Sequence, residues 1–281
     1  MKKTLSAICL LLSLVSCTKK LQVQPDPSVD AEGRTSAVAS VDDFAGEAFV
    51  WPASARIGIY DSEGRSNCRY TLMNEFAGKS GEVSLYGAAV SGPLVAYYPF
   101  TEKGYPCIAD RRQPVLREQK AGSSAMEHLA LNTVLVAEDE DGVFRFSWRN
   151  GCTGLLHLTL KCPLEGAVEK VVFQCPGAPL AGNVALDPDA EPLVTDGSAV
   201  LTLTGVGKPC TQESPLEVWA QVPAGRYEHL AVTVISASGA VPAVAGEVLS
   251  VTPGGVTDAT LEGASPEAGN EDLTIIDGTY Q

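Results

Sequence analysis

The chain has three histidines, His128, His157 and His229, and histidine is the side chain most often used as a general base near neutral pH. His128 stands in Met126-Glu127-His128-Leu129, His157 in a run of alternating leucines, and His229 beside Glu228. None has metal-ligand spacing to another, and for His157 a satisfied place on one strand face is the expected role. No Gly-x-Ser-x-Gly, His-Glu-x-x-His or phosphate-cradling glycine loop occurs. The carboxylates cluster in turns, Glu138 to Asp141 and Asp187-Pro188-Asp189. There solubility explains them better than a glycosidase pair does, and they lack the Asp-x-Asp-x-Asp-Gly spacing of a calcium loop. A non-enzyme is expected, with no catalytic residue, metal site or cofactor.

The cysteines carry more information. Lys2 and Lys3 precede an apolar core from Ile8 to Val15 and then Leu14-Val15-Ser16-Cys17. The apolar run is shorter than the roughly 20 residues of a membrane-spanning helix and has the order of a secretory signal. Leu14-Val15-Ser16-Cys17 resembles the bacterial lipobox, so cleavage before Cys17 and lipidation of its thiol are expected. With Cys9 lost in the signal, six cysteines remain: Cys68, Cys107, Cys152, Cys162, Cys175 and Cys210. They form no CxxC units, which disfavours a zinc ribbon, and in an exported chain an even number permits disulfides. Fifteen full pairings exist. Bridges within each half are preferred, against the alternative that some are simply buried small apolar residues.

Loss of residues 1–16 leaves 265 residues with 18 basic and 34 acidic side chains, a formal charge of −16. Nucleic acid is excluded as a partner by such a surface. The length suits two ordinary domains. The 27 glycines and 18 prolines are scattered, which breaks long helices and favours short strands joined by turns.

Residues 17–41 are polar and contain two prolines, and they are read as a flexible tether, with folding expected to begin near Phe44. From there the period is two. Arg56-Ile57-Gly58-Ile59-Tyr60 is a predicted strand, and Leu94 to Tyr98 another, stopped by Pro99. Asn132 to Ala137, an acidic turn through Gly142, and Val143 to Trp148 form the clearest hairpin, with Phe144, Phe146 and Trp148 on one face. Further strands are expected at Leu156–Leu160, Val168–Gln174, Ala199–Gly205, Leu216–Val222 and Leu230–Ser236. Without helical crossovers between them, they argue for an all-β sandwich or barrel. The expected division is a signal peptide at 1–16, the tether at 17–41, β-sandwich domains at 42–150 and 151–262, and a tail at 263–281.

Arg56 to Tyr60, Tyr70-Thr71-Leu72 and Ala96-Tyr97-Tyr98-Pro99-Phe100 resemble the first domain of the fimbrillin-like proteins, the FimA and Mfa group of Bacteroidetes. Phe144-Arg145-Phe146 before Gly154 to Leu160, and Gln221-Val222-Pro223 before Leu230 to Val234, resemble its second domain. The resemblance implies two transthyretin-like sandwiches in an outer-membrane lipoprotein that serves as stalk, tip or anchor of a type V pilus-like fimbrium in adhesion. Its partners would be copies of itself or other fimbrial subunits, the outer membrane through the lipid, and host or bacterial surface ligands. It also implies that an arginine-specific protease removes the lipidated segment together with the first strand, opening a groove that a neighbour's strand fills. Arg34, in Glu32-Gly33-Arg34-Thr35-Ser36, is the arginine best placed for that cut; a solvated linker arginine is the competing reading. In the tail, Leu273, Ile275, Ile276 and Tyr280 have strand-like content and suit either a donor strand or an edge strand folded back on its own domain.

The competing function is a glycan-binding surface lipoprotein accompanying polysaccharide uptake. It needs exposed aromatics to stack on sugars, whereas core packing better explains at least two of Trp51, Trp148 and Trp219.

Overall fold

The computed structural model describes residues 34–43, 48–60, 67–90, 94–149 and 151–263. In the first part of the chain these form β1 (Arg34–Val41), β2 (Arg56–Tyr60), β3 (Asn67–Leu72), β4 (Val83–Ala88) and β5 (Val95–Tyr98). Next come α1 (Pro106–Ala109), β6 (Arg112–Val115), β7 (Glu118–Lys120), α2 (Ala125–Asn132), β8 (Leu135–Glu140) and β9 (Val143–Phe146). The second part runs β10 (Thr153–Lys161), β11 (Leu164–Gln174), β12 (Ala181–Ala185), β13 (Val194–Ser198), β14 (Val200–Thr204) and β15 (Pro209–Cys210). It ends with β16 (Leu216–Pro223), β17 (Gly225–Tyr227), β18 (Ala231–Ser236), β19 (Gly239–Val244), β20 (Leu249–Val251) and β21 (Val256–Glu262). The described residues are all-β, two short helices and a 3-10 turn aside.

Seven strands of the first part make one sheet in the order β1-β4-β3-β2-β5-β8-β9, and it closes on itself. Its hairpin follows the local chemistry. Asp141 and Gly142 both take positive φ, 54° and 85°, as a two-residue primed turn requires, and the Asp139 carboxylate accepts the Gly142 N–H at 2.8 Å. Phe144, Phe146 and Trp148 are buried while Arg145 is exposed, the alternation expected of a half-buried strand. Trp51 is fully buried and meets Phe49 and Tyr98 edge to face. Tyr97, in β5, pairs with Gly58 across to β2. A Cβ at Gly58 would stand 2.1 Å from the Tyr97 ring, so glycine lets the ring cross the β2 backbone there. The ring stacks on Tyr60 at 5.7 Å, and its hydroxyl donates to Asn67 Oδ1 at 2.8 Å.

The second core is aliphatic and collects Leu156, Leu158 and Leu160 from β10, Val171 and Phe173 from β11, and Leu201 and Leu203 from β14. Around it lie the sheets β16-β10-β21 and β19-β18-β11-β14-β7, with β15 pairing on β11, and the smaller β17-β20, while β13-β12-β6 covers a separate small cluster of Val115, Cys152, Ala181 and Val184.

Two features differ from the sequence reading. Ordered pairing begins at Arg34, not near Phe44, so the last eight residues of the segment read as tether are a strand. And two strands that precede Gly151 pair with strands that follow it: β6 with β12, and β7, in parallel, with β14. They bury Gln113, Pro114 and Val115 in β6 and Gln119 in β7, polar and apolar residues mixed in segments too short to show a period.

Candidate assembly surface

The place of β1 is the feature with most bearing on assembly. It pairs antiparallel with β4 from Arg34↔Ala88 to Ala39↔Val83, and parallel with β9 from Val38↔Val143 to Val41↔Phe146. Ala37, Ala39 and Val41 point into the first core and are buried, while Thr35 and Ser36 are exposed. Small residues suit a strand that lies over Trp51, Phe144 and Phe146, which share its cluster. The ends are fixed by polar contacts. The Thr35 hydroxyl is 2.9 Å from that of Tyr70, Asp42 N–H donates to the Phe146 carbonyl at 3.0 Å, and Trp148 Nε1 donates to the Asp42 carbonyl at 2.8 Å. The strand thus fills a slot between two neighbours. Without it both β4 and β9 would present unpaired backbone groups above an apolar floor, the arrangement a donated strand satisfies.

Of the residues singled out in the sequence, Arg34 is the first of β1 and faces Ala88 across the ladder. It does not lie in the link between β1 and β2, and the sequence of that link, residues 42–55, contains neither arginine nor lysine. Cys17, Leu273, Ile275, Ile276 and Tyr280 lie outside the described residues. The sequence reading missed β1 altogether, although Ala37-Val38-Ala39-Ser40-Val41 alternates; its inward residues are too small to stand out against a polar, proline-containing approach.

The histidines are not brought together into a site. His128, on α2, is fully buried in a polar network that joins the two halves of the chain. Its Nε2 lies 2.9 Å from Gln119 Oε1 and its Nδ1 lies 3.2 Å from Asn132 Nδ2. The Gln119 amide also donates to the Gln221 carbonyl at 2.8 Å and accepts Gln221 N–H at 3.0 Å, which fixes its orientation. Burial pushes the His128 imidazole down to about 4, only partly offset by hydrogen bonding at Lys120. α2 itself had a legible start that went unread: Ser124 caps it, accepting Glu127 N–H at 3.2 Å, and Glu127 reaches back to Ser123. His157 stacks on Trp219 at 3.9 Å, with Nδ1 2.7 Å from Asp258. Trp51 and Trp148 are buried and Trp219 is half-buried under His157. Among the described residues no group of three or more His, Cys, Asp or Glu could hold a metal ion, and no helix is long and apolar enough to cross a membrane.

No protein-family model matches the chain, and no curated protein matches it. Several solved structures do. A "putative cell adhesion protein" of Bacteroides ovatus is 14% identical, with 82% of this chain and 95% of that one covered and a TM-score of 0.46. A second, from Bacteroides fragilis, is 13% identical over 80% and 88% of the two chains, with a TM-score of 0.37. The tip fimbrial protein Mfa3 of Porphyromonas gingivalis is 10% identical over 76% and 82%, with a TM-score of 0.31.

Proposed function

We propose that the protein is a structural subunit of a fimbrium at the cell surface, held at the outer membrane through lipid on Cys17, joined to its neighbours by strand exchange, and retaining its own first strand. The observation that carries the last point is the double pairing of β1 with β4 and β9. A cut after Arg34 would release the lipid and the tether yet leave Thr35 to Val41 in their ladders. Expelling the strand needs a cut in residues 42–55, where no arginine stands. A subunit that keeps both its lipid and its strand cannot take a donor into that slot, and this suits the membrane-proximal anchor of an assembly rather than its repeating stalk. Such a protein works through its surfaces and not through catalysis.

On this reading the tail carrying Leu273, Ile275, Ile276 and Tyr280 is the segment offered to a neighbour. The test is deletion of residues 264–281. A donor strand's loss leaves the monomer folded, with an unchanged melting temperature, and removes co-purification with fimbrial material at least tenfold. Unchanged assembly would refute donation, and a collapse of the melting temperature would mean the tail is an edge strand of its own domain.

A further inference from the structure

The second core holds two cysteines at one point. Cys162 lies in the short link between β10 and β11, and Cys210 ends β15. β15 pairs with β11 at Leu164, two residues beyond Cys162. Leu164 N–H donates to the Cys162 carbonyl at 2.9 Å, a tight turn that keeps position 162 beside β15. Both side chains are fully buried, and their thiols are in hydrogen-bond contact with each other. Cys210 Sγ also reaches the Leu160 carbonyl at 3.3 Å. The space around the sulfurs is closed, since a Cβ on Gly263 would come within 2.8 Å of Cys162 Sγ.

We propose that Cys162 and Cys210 form a disulfide when the chain meets an external disulfide as it folds, pinning the corner between β10 and β11 to β15. Its occurrence in the cell rests on the export reading above. In the first step the Cys210 thiolate attacks one sulfur of the external disulfide, forming a mixed disulfide and expelling the other sulfur as a thiolate. Cys162, deprotonated, then attacks Cys210 Sγ and expels the second external thiolate. Two protein thiols are oxidised, one external disulfide is reduced to two thiols, and the two protons lost by the cysteines end on them. Both attacks take place before this closed corner has finished forming, and their order follows from the contact between the thiols as it forms. A hydrogen bond from Cys162 favours the Cys210 thiolate and lowers Cys210, while the same bond raises Cys162. The bond formed brings the two sulfurs to roughly 2 Å. Other cysteines serve as internal controls: Cys175 spends its thiol on the Glu228 carbonyl at 3.4 Å, and Cys107 and Cys152 sit in separate clusters.

The experiment refolds the reduced, full-length protein in a mixture of reduced and oxidised glutathione, quenches with acid, alkylates under denaturing conditions and maps peptides by mass spectrometry. The expected result is a Cys162–Cys210 linked peptide, about 2 Da lighter than its reduced parts. Reduction should then lower the melting temperature by roughly 10 °C, as expected for opening a loop of this size, and C162A/C210A should show no such reduction-dependent shift. Recovery of both cysteines alkylated, or of either joined to a different cysteine, would overturn the proposal. The same mapping on protein isolated from its own cells separates the two ideas: a pair linked in glutathione but reduced in the cell counts against export and leaves the pairing intact.

Discussion

A protein lacking residues 34–41 should fail to fold its first half cooperatively, and a peptide spanning residues 33–43 added in trans should restore it. Deleting β1 removes the buried Ala37, Ala39 and Val41 and leaves two neighbouring edges unpaired over the first core. Each lost ladder bond is worth about 1 kcal/mol, and buried edge groups left without partners cost more than that, so the sum rivals the whole stability of an ordinary domain. The second core contains no β1 residue and should survive. Thermal unfolding followed by tryptophan fluorescence checks this, because Trp51 and Trp148 report on the first core. Loss of their transition, recovered by the peptide in a saturable way, is the expected outcome. A deletion variant that melts within about 2 °C of the intact protein would show that β1 is an ornament of the sheet.

The second large effect concerns acid. The folded protein holds His128 neutral, with its imidazole pushed down to about 4, whereas an unfolded histidine titrates near 6.5. The unfolded chain therefore binds a proton first as pH falls. The contribution of His128 is fully present above pH 6.5 and is lost progressively down to about pH 4, amounting to about 3 kcal/mol at its limit. Geometry supplies the same sign. Nδ1 lies beside the Asn132 amide nitrogen, which donates to the Lys120 and His128 carbonyls at 2.9 and 2.8 Å, so a proton added to Nδ1 would confront a donor. Between pH 7 and 4.5 the wild type should lose roughly 5–10 °C more in melting temperature than His128→Leu does, even though the variant starts lower. Equal losses in the two proteins would place the acid sensitivity elsewhere, among the carboxylates.

What was legible in the sequence was local. β2 appears residue for residue in Arg56 to Tyr60, and the hairpin of β8 and β9 is visible because Asp141-Gly142 supplies positive φ between alternating apolar runs. The longer strands β10, β11, β16 and β18 were read for the same reason, since period two persists long enough to be seen. What escaped depends on partners distant in the chain. β6 contains Pro114 and β7 buries a glutamine, so neither advertises itself, and each exists because β12 or β14 offers an edge. Gln119 looks like a surface residue until Gln221 meets it across 102 positions. Arg34 was noticed for its side-chain chemistry, but its position at the start of a ladder follows from β4 and β9, more than forty residues away, and that position changes what a cut there could accomplish.

The most direct measurement is the N-terminal residue, with its modification, of the protein recovered from the surface of its own cells. The expected result is a single form beginning at a lipid-modified Cys17 and retaining Arg34 to Val41. A form beginning beyond Val41, with β1 gone and the slot between β4 and β9 open to a neighbour's strand, would contradict the retained-strand anchor.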